Sequence, residues 1–228
     1  VWAMWALPPL PPQQGAPSRP GWASVREGLS FLVGKRTLQM SFYADIVAMV
    51  FGLPRALFPA IAATWYGNSF GNAATRVGLL TAAPAFGAAL SAVLSGPLLR
   101  VVRHGAAIAW SIVGWGIAIT AFGLTRNLWL GLVFLAVAGA ADNVSALYRT
   151  TMLQAAVPDE FRGRLQGLFT VVVAGGPRLG DFEAGAVAAL AGEALSVISG
   201  GLACVVLMAV LVRWHPPFTR YDAREPTL

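Results

Sequence analysis

The chain has 228 residues, of which 57% are apolar and only 11% charged, with a net charge of +6; globular proteins carry about 25% charged residues. So little polar surface cannot cover a water-soluble particle, which excludes a soluble enzyme, and such high apolarity excludes intrinsic disorder. The mean hydropathy of +0.65 and pI near 10.4 describe a basic membrane protein. The basic residues lie between apolar stretches, not in clusters with interleaved aromatics, so nucleic acid is not an expected partner.

In chain order, residues 1–7 are apolar but far too short to cross a bilayer, and Pro8, Pro9, Pro11 and Pro12 stop any helix there. They read as the end of a preceding transmembrane helix, the chain then being a fragment. Residues 8–37 read as a linker, within which 25–33 predicts a short amphipathic helix on the membrane surface. A membrane-crossing helix needs about 20 apolar residues. Six such stretches are expected between 38 and 213, at about 40–66, 78–99, 105–124, 127–147, 166–190 and 194–212, with a tail over 214–228.

Six spans put both ends on one side. That side carries Arg19, Arg26, Lys35, Arg36, Arg100, Arg103, Arg149, Arg162, Arg164, Arg213, Arg220 and Arg224; the other carries Arg76 and Arg126. Loops rich in Lys and Arg stay inside, so both ends are expected in the cytoplasm of a cell membrane.

An ionisable group inside a bilayer costs at least about 2.5–3.5 kcal/mol and faces a partner or a wet cavity. Asp45 and Arg55 fall in the first span, Asp142 in the fourth, and Arg178, Asp181 and Glu183 in the fifth; the other three have none. Counting along the helices puts Asp45 and Asp142 in the cytoplasmic half and Arg55 and Arg178 nearer the midplane. Glu183 sits near the outer interface. These groups either line a substrate and proton pathway or tether helices, with Arg178–Asp181 as a local pair. Helix breakers directly precede both arginines: Gly52 and Pro54 before Arg55, and Gly175, Gly176 and Pro177 before Arg178. Proline removes a backbone hydrogen bond, so both places are candidate hinges. Gly163 with Gly167, and Gly176 with Gly180, are spaced for close helix packing.

No catalytic constellation accompanies these charges. His104 and His215 have no partner at ligand spacing, which argues against a metal site. No phosphate-binding glycine loop is present, and Ser111, Ser145 and Ser196 lack a recognisable base. Neither an enzyme nor a cofactor is expected. Trp110, Trp115 and Trp129 read as packing or interfacial residues.

Two loops carry a family resemblance. The segment after the second span, from Gly96 through Arg100 and Arg103 to Gly105, resembles a degenerate copy of a loop in each half of the major facilitator superfamily. The segment after the fourth, containing Pro158, Arg162, Gly163 and Arg164, is similar to the branch that exports the siderophore enterobactin. Residues 168–180 and 54–59 look like actinobacterial members of that branch. The resemblance implies an all-α membrane fold whose six transmembrane helices form the C-terminal half, as two inverted three-helix repeats. It implies a missing N-terminal six-helix half and a central linker. It also implies efflux of a siderophore or amphipathic drug-like molecule by proton antiport, with membrane lipid around it. Asp45 and Asp142 would then carry protons, while Arg55 and Arg178 would attract an anionic group or hold an acid charged. A non-transporting six-helix scaffold is the alternative.

Overall fold

The computed structural model describes residues 22–67, 69–96 and 101–222. The expected helix end at 1–7, linker residues 8–21, Arg100 and the last six residues lie outside the described residues, as does the Arg162 side chain. The described chain is all-α, with no strand beyond one isolated bridge between Arg103 and Asp222.

The predicted amphipathic helix forms as α1 (Trp22–Leu32) and docks against a later span. Glu27 pairs with Arg164 at 2.9 Å, and Phe31 stacks on Phe161. The first span is broken. α2 (Arg36–Phe51) ends at Gly52, a 3-10 turn over Pro54–Leu57 follows, and α3 (Phe58–Thr64) completes the crossing. Pro54 is accommodated at the start of its turn because its missing N–H is not needed there.

The remaining long helices are α4 (Ala73–Val93), α5 (His104–Leu124), α6 (Leu128–Ala156), α7 (Asp159–Ala191) and α8 (Glu193–Trp214). Asn72 and Asn127 start α4 and α6 by accepting a hydrogen bond from the backbone N–H three residues on. Among the described residues, five stretches are long and apolar enough to cross a membrane by length and composition: Arg36–Thr64, α4, α5, α6 and α8. With α7 they occupy all six of the stretches expected. α7 has the length, about 50 Å at 1.5 Å per residue, but its charged residues and glycines leave it too polar by the same measure.

The core lies where α5 packs against both α6 and α8, filled by Ile108, Ile112, Trp115, Ile119 and Phe122. α4 crosses α6 where Gly87 lies on the Ala136 backbone and Gly139 on that of Pro84; a Cβ at either glycine would collide with a carbonyl. Small residues let helices approach this closely where no water drives them together. Of the two glycine pairs expected at contacts, Gly176 and Gly180 do pack on Met49. Gly163 and Gly167 have no neighbour within 4 Å of an added Cβ.

Candidate functional site

The intramembrane charges converge where α2 meets α6. Arg149 on α6 donates a hydrogen bond from Nη1 to Asp45 Oδ1 on α2, and both side chains are buried, at 3% and 1% exposure. Arg149 Nη2 lies 3.9 Å from Asp142, whose side chain is 44% exposed. Asp142, Ser145 and Arg149 follow at i, i+3 and i+7, which places them along one face of α6. Ser145 is buried beside them; its hydroxyl, Asp45 Oδ2 and Arg149 Nε have no hydrogen-bond partner among the described residues.

Two sequence expectations are corrected here. Arg149 belongs to the buried cluster and not to the cytoplasmic loop, because α6 runs to Ala156 instead of ending near 147. The same extension moves Asp142 to the middle of the 29-residue helix, about 21 Å from its C-terminal end. The signal was present in the sequence: Leu147, Tyr148, Met152 and Leu153 surround Arg149 with apolar side chains.

Asp142 opens into a cavity of about 260 Å³ beside the break in the first span. Gly52, Arg55, Thr81, Pro84 and Trp115 share its wall, so Arg55 and Asp142 face one space. Breaking a helix leaves carbonyls without partners. Here Trp115 Nε1 donates to the Gly52 carbonyl at 3.0 Å. Trp115 is therefore a support for the break, a role beyond the packing expected of it. Asn143, one residue from Asp142, ties α6 to α4 by donating to Ser91 Oγ at 3.0 Å.

The fifth-span charges do not join this cluster. Arg178 is exposed on α7, and neither it nor Asp181 makes an ion pair among the described residues, so the expected local pair is absent. α7 runs as helix through Gly175, Gly176 and Pro177, so the interruption found at Gly52 is not repeated there. Arg164 of the second loop segment pairs with Glu27, and Gly105 of the first lies under the Phe218 carbonyl of the tail. At the opposite end of the bundle, Arg76 donates to the Gly67 carbonyl at 2.8 Å and Arg126 lies 4.0 Å over the Trp65 ring. Among the described residues, no group of three His, Cys, Asp or Glu could hold a metal.

The sequence profile of the Major Facilitator Superfamily matches residues 44–226. The chain is 33% identical over 227 residues to the enterobactin exporter EntS of Escherichia coli O1:K1 / APEC, covering 97% of this chain and 52% of the relative. It is similarly 33% identical to EntS of the O127:H6 strain E2348/69 and 32% identical to that of strain SMS-3-5. The chain thus spans about half the length of the curated relatives it matches. No solved structure matches it. With the profile covering most of the described helices, the chain belongs to the major facilitator superfamily.

Proposed function

We propose that this chain is the C-terminal half of a proton-coupled exporter in the cell membrane, with both its ends cytoplasmic. Its cargo is a siderophore or another amphipathic small molecule. The observation that carries the reading is the unequal burial of one charge cluster. Asp45 and Arg149 are sealed from solvent, while Asp142, in contact with the same arginine, opens into a cavity with Arg55. A network that only tethered helices needs no acid open to a cavity, and an ionisable group within a membrane helix is costly without a task.

Asp142 is the group that exchanges a proton with the cavity. Charged, it accepts hydrogen bonds from donors on the cargo, its charge balanced by Arg55 and Arg149. Protonated from outside, it loses that acceptor strength and the cargo leaves; the proton then travels inward as the cavity reopens to the cytoplasm. Asp45 holds Arg149 in place throughout. The break at Gly52 and Pro54 lets the outer part of the first span pivot about the Trp115 bond. Arg178 and Asp181 lie on α7 and, in a two-half arrangement, front the central cavity from there. The similarity to EntS proteins, named enterobactin exporters, supports an efflux role and a siderophore cargo.

The test is cargo efflux and cargo-driven proton movement in vesicles holding the protein at its natural length. Asp142→Asn should abolish coupling while leaving insertion and melting temperature unchanged. Unchanged efflux would overturn the assignment. Unchanged efflux together with a large stability loss would favour the scaffold reading.

A further inference from the structure

A second cavity, of about 470 Å³, lies between α5 and α8 at the opposite side of α5 from the charge cluster. Its walls divide by chemistry. Trp110 and Val113 of α5 and Met208 and Val212 of α8 form an apolar groove, while Arg103, Thr219 and Arg220 close the end that the proposed orientation turns to the cytoplasm. The tail holds these polar residues in place. Phe218 and Tyr221 are buried, the Phe218 carbonyl lies against Gly105, and the Arg103 backbone bridges that of Asp222. The Asp222 carboxylate faces His104 at 4.0 Å, which turns it away from the groove.

The surrounding surface faces lipid. Val206, Val210 and Trp214 of α8 are exposed, and Trp110 is 75% exposed about two turns inside α5. Exposed tryptophans mark the level where headgroups meet acyl chains. A groove that is apolar toward the bilayer centre and carries two arginines at the cytoplasmic headgroup level matches one kind of molecule in both parts. Basic pockets between transmembrane helices on this side bind anionic headgroups, and Arg suits phosphate because its planar fork can donate two parallel hydrogen bonds.

We infer that the α5–α8 groove binds an anionic phospholipid, with its phosphate between Arg103 and Arg220 and one acyl chain along Trp110, Val113 and Val212. The Thr219 hydroxyl supplies a further donor to the headgroup. The tail is thereby pinned to the membrane surface, and its fold against Gly105 depends in part on the lipid's presence.

Native mass spectrometry of the delipidated protein at its natural length tests this. Phosphatidylglycerol, phosphatidylcholine with the same chains, and inorganic phosphate are each titrated, with thermal unfolding read in parallel. Two arginines near the surface predict a preference for phosphatidylglycerol of about 30-fold. Arg103→Gln with Arg220→Gln should erase that preference; both side chains are exposed, so folding is not at stake. Ala209→Trp, which fills the groove from an exposed position, should weaken retention of both lipids. An unchanged preference in the double glutamine variant would overturn the inference. So would stabilisation by inorganic phosphate as large as that by phosphatidylglycerol, which would reduce the site to a phosphate site without a lipid.

Discussion

Replacing Arg149 by methionine isolates the energetics of the buried cluster. The change keeps most of the aliphatic volume but leaves the Asp45 carboxylate, 1% exposed, with no cationic partner. Removing one member of a buried pair costs about 3–5 kcal/mol, because the remaining charge is desolvated without compensation. Asp45→Asn should cost less, about 1–2 kcal/mol. Its amide oxygen still accepts from Arg149, which also keeps Asp142 at 3.9 Å. Combining Asp45→Leu with Arg149→Met removes both charges and should recover stability to within about 1 kcal/mol of the parent protein. The assay is reversible unfolding in mixed micelles, with Asp45→Leu alone, Arg149→Met alone, the double variant and the parent forming a double-mutant cycle. Two results would refute the reasoning: Arg149→Met as stable as the parent, or a double variant no more stable than Arg149→Met alone. The first would mean that Asp45 is not left desolvated and unpaired when Arg149 is removed; the second would mean that the pair contributes net stability that apolar side chains do not replace.

Two further predictions concern the backbone around the site. Trp115→Phe keeps a ring in the core but deletes the N–H that the Gly52 carbonyl accepts. It should lower stability by about 1–3 kcal/mol, with faster amide exchange confined to residues 50–56; exchange matching the parent would remove Trp115 as the support of the break. Gly139→Ala places a methyl group on the Pro84 carbonyl and should destabilise by about 1–3 kcal/mol or more, while Gly163→Ala, in open space, should be neutral or stabilising by up to about 1 kcal/mol. Equal melting temperatures for the two alanine variants would contradict the α4–α6 crossing.

Much of the architecture is legible without coordinates because apolar runs of membrane length have few alternatives to helix. The break in the first span was also legible, since Gly52 and Pro54 fall two residues apart in an apolar run. The same reasoning misled at Gly175, Gly176 and Pro177. A proline inside a helix costs one hydrogen bond, and in α7 the helix continues past it. Breaker residues mark where a helix can be interrupted, and the packing around them decides whether it is. The fifth of the six expected stretches differs from the others in composition. α7 combines helix-forming length with charges and glycines that lower its hydropathy, so a helix forms where the apolar measure of a span is not met.

Composition and periodicity alone thus determined that this protein is helical and membrane-embedded, that charges sit within its first, fourth and fifth long helices, and that its first span carries a breaker. The tertiary structure alone decided which charges meet. Asp45 and Arg149 are 104 residues apart, and α6 had to extend past its apolar stretch before they could pair. It also turned Arg178 outward, set Trp115 on the Gly52 carbonyl and put Gly87 and Gly139 at the helix crossing. The reason is geometric. Hydropathy is a property of a segment and can be read locally, whereas a partner depends on which face of a helix turns toward which neighbour. That rotation is set by the packing of all the helices together.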